Sequence, residues 1–180
     1  NIGVVTCNKI ACADQLLHYK KLKKLSRDFG VPFLFETNVG AGLPIIDTLN
    51  NLIASGDKVH TIQAVLSGSL NFIFNHFDNK NSFHDVVLEA QKQGFTEPDP
   101  KIDLSGVDVA RKILILARES GNDIELEDIE NESFMPKECL ETADNDAFFK
   151  SLVTHKAHFN SIYEKASKEN ARIKYVAQFK

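Results

Sequence analysis

Residues 95–118 read Phe-Thr-Glu-Pro-Asp-Pro-Lys-Ile-Asp-Leu-Ser-Gly-Val-Asp-Val-Ala-Arg-Lys-Ile-Leu-Ile-Leu-Ala-Arg. The stretch reads as a tight acidic loop feeding a helix. Pro98 and Pro100 predict an extended, non-helical loop. Asp103 or Ser105 is placed to cap the free N–H groups of the helix that follows. From there Val107, Ala110, Ile113, Leu114 and Ala117 recur at helical spacing, and Gly121 supplies a stop. Asp108 and Lys112 lie four apart and so project from one helical face. With Glu97, Asp99 and Asp103 in the loop, several carboxylates surround one lysine. Opposite charge keeps such a lysine protonated, yet it can still donate to a stronger base such as an alkoxide. The plainer reading is a solvated Asp–Lys pair on a surface helix.

Outward from this stretch, strand and helix patterns interleave. Residues 1–6 read as a strand, 11–29 as an amphipathic lysine-rich helix stopped by Gly30 and Pro32, and 33–38 as a short strand. A helix over 43–54 carries Pro44 in its first turn. A β-branched strand follows over 59–67, then a helix over 69–77 with Phe72, Ile73 and Phe77 inward. Ser82 with Asp85 forms a capping-box pattern that opens a helix ending at Gly94. Residues 124–134 are acidic and ambiguous, with a strand possible near Ile129. Helices over 144–153 and 155–169 and a strand over 172–180 complete the chain. The expected fold class is α/β to α+β: a mixed sheet covered by helices.

Composition bounds the function. The chain has 180 residues, 43% of them hydrophobic and 26% charged, ordinary for a soluble domain with a sizeable core. Its net charge of −4 and pI near 5.9 argue against a nucleic-acid surface. No apolar run approaches the ~18–20 residues of a membrane span, and no secretory signal opens the chain. Three cysteines, Cys7, Cys12 and Cys139, lack CxxC spacing. They fit a reducing, cytoplasmic setting without a disulfide framework.

Several tempting motifs fail on inspection. Gly40-Ala41-Gly42 lacks the third glycine of a dinucleotide fingerprint, and Pro44 follows at once. The turn instead suits converging carbonyl oxygens, which with Glu36 just upstream could hold a hard cation; a plain turn capping the next helix is the alternative. Ser67-Gly68-Ser69 has no nucleophile-elbow context. His155 and His158 form HxxH without an evident third ligand for zinc, and Asp99 to Asp103 lacks the glycine of a calcium loop.

The order Gly94-Phe-Thr-Glu-Pro-Asp-Pro, Asp103-Leu-Ser-Gly, Asp108-Val-Ala-Arg-Lys112 closely resembles the homoserine dehydrogenase signature, in the form fused to aspartokinase. Val-Val-Thr-Cys-Asn-Lys at 4–9, Asn-Val-Gly-Ala-Gly-Leu-Pro at 38–44 and Leu-Ser-Gly-Ser-Leu-Asn-Phe-Ile-Phe at 66–74 agree and keep the family order. The resemblance is specific to about Arg118 and looser beyond. It implies that residues 1–9 are the tail of a Rossmann nucleotide-binding domain. Residues 10–180 would be a substrate-binding, catalytic and dimerisation domain, truncated at its C-terminus.

The implied reaction interconverts L-aspartate 4-semialdehyde and L-homoserine with NAD or NADP, in threonine and methionine biosynthesis. The resemblance assigns Lys112 as proton donor and acceptor, oriented by Asp108. Glu97 would meet the substrate ammonium, with Asp103 and Asp108 completing an acidic wall. Lys9 would contact substrate and cofactor, Gly68 and Ser69 would border the substrate, and Gly94 would lie toward the nicotinamide. A monovalent cation, sodium, would take Glu36 and the carbonyls of Val39, Ala41 and Leu43. Ile102 departs from the family, in which an acid is common. A homodimer, an aspartokinase domain in the same parent chain, and no activity from this segment alone are further implications. The alternatives are a non-catalytic dimerisation or regulatory module, and another semialdehyde-acting enzyme. The latter needs an activated cysteine, for which Cys7 and Cys139 offer no setting.

Overall fold

The computed structural model describes residues 2–78 and 80–180. In chain order the described elements are β1 (Val4–Val5), α1 (Ile10–Ala13), α2 (Leu16–Phe29), β2 (Phe33–Leu34), α3 (Ile45–Ala54), β3 (Ile62–Ala64), α4 (Gly68–His76), α5 (Phe83–Lys92), α6 (Pro100–Leu104), α7 (Val107–Glu119), α8 (Lys137–Leu140), α9 (Asn145–Thr154), α10 (Lys156–Lys168) and β4 (Ala177–Phe179). The class is the mixed α/β expected. Among the described residues the strands form two separate pairs: β1 parallel to β2, and β3 antiparallel to β4 with Ile62 opposite Phe179.

The chain divides into two compact units. The first holds residues 1–66, 109–130 and 177–180; the second holds 67–108 and 131–176. In the first unit, Cys12, Phe35, Val39, Ile46, Ile115 and Leu116 form one buried cluster, flanked by Phe33, Ile45, Leu49, Ile62 and Leu66. In the second, the core is aromatic. Phe83 stacks on Phe159 at 4.0 Å and meets Phe77 edge-on at 5.3 Å, while Phe74 meets Phe134 at 5.0 Å. Removing a buried ring such as Phe159, 1% exposed, would cost about 3–5 kcal/mol through lost transfer energy and the cavity left behind.

Several boundaries differ from the sequence reading. The helix expected over 11–29 breaks at Asp14, which is extended. The break has a tertiary cause: the Arg118 guanidinium takes the carbonyls of Cys12 at 3.0 Å and Asp14 at 2.6 Å. Glu125 then caps the new helix start through the Leu16 N–H, at 2.9 and 3.0 Å. The strand from Phe33 stops at Leu34 and gives way to a 3-10 turn over Glu36–Asn38. The proline loop is partly helical: Asp99 accepts from the Lys101 N–H at 3.1 Å, and Pro100 occupies the first turn of α6, where a missing N–H costs nothing. Near Ile129 there is a 3-10 turn over Leu126–Asp128, closed by a reciprocal capping box between Glu125 and Asp128. The strands over 59–67 and 172–180 form over three residues each. Helix α8 was not anticipated.

Candidate active site

In the second unit Asp103 is the centre of a small polar cluster. Its Oδ1 accepts the Ser69 hydroxyl at 2.7 Å, and its Oδ2 accepts the Glu97 N–H at 2.8 Å. One half-buried carboxylate thus ties the start of α4 to the loop ahead of α6. Ser67 caps α4 by accepting the Leu70 N–H at 3.1 Å, and a Cβ on Gly68 would meet nothing within 4 Å. The loop is held from its other side too, because Phe95 stacks on Phe72 at 4.2 Å. The exposed Glu97 side chain therefore stands on an anchored backbone. Gly94 closes α5 at φ +74°, its N–H bound to the Gln91 carbonyl. A left-handed helix end favours glycine, which explains Gly94 without any ligand; the space beside it is open.

The first unit holds Lys9, Glu36, Val39, Ala41, Leu43 and Lys112. The Lys112 ammonium donates to the Leu66 carbonyl at 2.8 Å. Asp108, which closes the first segment of the second unit, precedes Lys112 by one turn in α7, so helix geometry sets both on one face. Both side chains are half-buried. Ser105 caps this helix through the Val107 N–H at 3.3 Å. Asp103, the other capping candidate, is committed elsewhere. Lys9 sits at the N-terminal boundary of α1, its carbonyl taken by the N–H groups of Cys12 and Ala13.

The turn after β2 is built as a helix cap. The Glu36 oxygens accept the Ile46 and Asp47 N–H groups at 2.8 Å each, so the carboxylate faces the positive end of α3. Gly40 has φ +84°, and a Cβ there would stand 2.6 Å from Ile45; Ala41 is also left-handed at φ +52°. The Leu43 carbonyl accepts the Ile45 N–H at 2.9 Å. Each of these oxygens has a second lone pair, so a cation here would share the cap's acceptors.

Two functional-looking residues escaped the sequence reading. Glu119 and Arg118 end α7 with side chains 1% and 0% exposed. Glu119 accepts from the Tyr19 hydroxyl, from Lys23 at 2.9 Å and from Asn50 at 3.2 Å. Arg118 binds three carbonyls and the Glu125 carboxylate at 2.8 Å. Burial, with Glu119 second, pushes the Cys12 thiol up to about 12, and the same two causes raise Tyr19. A buried ionised group must be matched in this way. The only sequence signal was two charges on the apolar side of a helix.

The remaining candidates are structural. His158 Nε2 lies 2.8 Å from the Phe134 carbonyl, and His155 Nδ1 lies 2.9 Å from that of Ser151. Cys139 is buried, and burial raises its thiol. Among the described residues no group of three or more His, Cys, Asp or Glu could hold a metal ion, and no helix is long and apolar enough to cross a membrane.

The homoserine dehydrogenase family profile matches residues 44–180. A bifunctional aspartokinase/homoserine dehydrogenase of Buchnera aphidicola is 45% identical over 98% of this chain, which spans 22% of that protein. A crystal structure of a Candida auris protein of unknown function superposes with a TM-score of 0.90 at 34% identity, covering 98% of this chain and 51% of that one. A hyperthermophilic archaeal homoserine dehydrogenase in complex with NADPH gives 0.61 at 33% identity, over 67% of this chain and 37% of that one. The chain thus spans about a fifth of the bifunctional relative.

Proposed function

The chain belongs to the homoserine dehydrogenase family, and from that premise we propose that it is the catalytic part of an enzyme interconverting L-aspartate 4-semialdehyde and L-homoserine. The observation that carries the reading is the Asp108 and Lys112 pair on one face of α7. It follows directly on the loop where Asp103 gathers Ser69 and Glu97.

A nicotinamide dinucleotide supplies the hydride when bound. The residues present fit part of such a group: the chain lacks a phosphate-binding glycine fingerprint, while the open space at Gly94 and the half-buried Lys9 suit its reactive end. We place both there, with residues 1–9 as the tail of the nucleotide-binding domain. Reduction of the aldehyde carbon leaves an alkoxide, and Lys112 gives it a proton; in the oxidation Lys112 takes the hydroxyl proton, directly or through water. Asp108 fixes the direction of the ammonium. Glu97 meets the substrate ammonium, Asp103 holds the Glu97 backbone and completes the acidic wall, and Gly68 and Ser69 border the substrate. Glu36 with the carbonyls of Val39, Ala41 and Leu43 would hold sodium. A sodium-specific rise in the Tm of this chain, absent with lithium, tests that site without an activity assay.

The relatives' aspartokinase fusion extends the proposal to a parent chain carrying both activities, cytoplasmic and dimeric through this segment. This segment alone should be inactive. The assay that tests the reading follows nicotinamide absorbance in the complete enzyme. Homoserine-dependent reduction of NAD or NADP is expected. Turnover only of semialdehyde with phosphate would place the enzyme in another class.

A further inference from the structure

The junction between α6 and α7 carries a device to which no role has been given. Ser105 and Gly106 separate α6 from α7 and so lie between Asp103 and Asp108, and two side chains from distant sequence grip this turn. The Asn131 amide donates to the Ser105 carbonyl at 2.9 Å, and the Tyr175 hydroxyl donates to the other end of the same amide, Asn131 Oδ1. Gly106 has φ +77°. A Cβ there would fall on the Tyr175 hydroxyl and within 2.8 Å of Asn131 Oδ1. Glycine is therefore required twice, by its backbone and by the clamp.

The clamp is itself anchored. Lys174, next to Tyr175, donates to Asn71 at 3.0 Å and Asn75 at 2.7 Å on α4. The Tyr175 ring meets Phe134 edge-on at 5.8 Å. All of these residues belong to the second unit, with Ser69, Glu97, Asp103 and Asp108. A turn needing only to change direction has no use for a phenol held by Asn131 and Phe134 beside a lysine tied to α4.

We propose that Asn131 and Tyr175 are positioning residues, which fix the Ser105–Gly106 turn and so the placement of Asp108 relative to Asp103. The inference rests on the proposed role of the Asp108 and Lys112 pair. Misplacing a catalytic group by about 1 Å can cost on the order of a hundredfold.

The test uses Tyr175→Phe, Asn131→Ala and their double variant in the complete enzyme, with Lys112→Ala beside them. Each single variant should lower kcat by about tenfold to a hundredfold, with the KM for the cofactor unchanged and Tm shifted by only a few degrees. The double variant should be no worse than the poorer single one, because both changes break one chain of bonds. A Tyr175→Phe enzyme with kcat within about twofold of wild type would overturn the clamp, as would losses that multiply in the double variant. If Lys112→Ala is severe while Tyr175→Phe is silent, the clamp alone fails; if Lys112→Ala is silent, the functional reading fails first. Gly106→Ala should reproduce the kcat loss, and an insoluble product leaves Tyr175→Phe as the deciding variant.

Discussion

Helix α7 carries opposite charges at both ends, and the two ends are treated differently. Arg118 and Glu119 are sealed from water, and each meets several fixed partners from α2, α3 or the 124–125 segment. Asp108 and Lys112 remain half-buried. On the proposed reading, charges that hold architecture together are removed from solvent, and charges meant for chemistry stay reachable by a substrate. Burial distinguishes the two pairs, whereas residue type does not.

The largest effect that would sharpen this contrast lies in Glu119→Ala. It strands Lys23, Asn50 and the Tyr19 hydroxyl and should cost about 3–5 kcal/mol, the usual penalty for breaking a buried pair. Turnover per folded molecule should survive. Denaturant titration beside kcat measures both, and a stable but inactive variant would erase the distinction. Glu97→Gln should do the reverse, raising the KM for homoserine about tenfold to a hundredfold, as expected for a lost hydrogen bond to a charged group, at unchanged stability. A weaker cofactor KM with homoserine unaffected would reassign Glu97.

A smaller effect belongs to pH. The Cys12 thiol is raised to about 12 from an ordinary 9, so the unfolded chain releases that proton first. Stability from this group is whole below about pH 9 and falls between about 9 and 12, by up to about 1.4 kcal/mol per pH unit. Cys12→Ala should flatten the alkaline decline of Tm; an unchanged slope would assign the decline to other groups. Smallest is Ser82→Ala. Ser82 caps α5 through the Asp85 N–H at 3.1 Å, and its loss should cost about 1 kcal/mol with kcat untouched.

The same contrast explains what could be read from the sequence. Period and punctuation located α3, α4, α5, α7, α9 and α10 to within about two residues, and three of these start on local caps: Ser67, Ser82 and Asp144 each accept an N–H of their own helix. The break at Asp14 was invisible because Arg118, 104 residues away, makes it. The 3-10 turn at 126–128 depends on a capping box whose acids read only as an acidic run. As candidates, Asp108 and Lys112 stand out through i, i+4 spacing, and Asp103 through its setting among other carboxylates. Glu119, Asn131 and Tyr175 do not, since their meaning lies in partners far along the chain. Pro100 was misread because proline at a first helical turn and proline in a loop look alike until the Asp99 cap is seen.

On the proposed function, Lys112 carries the proton and Glu119 does not. The most direct test is turnover per folded molecule in the complete enzyme for Lys112→Ala, with Tm recorded on the same sample. The expected result is a loss of about two to four orders of magnitude, with little change in the KM for homoserine and a Tm within a few degrees of wild type. Near wild-type turnover from folded Lys112→Ala would contradict it.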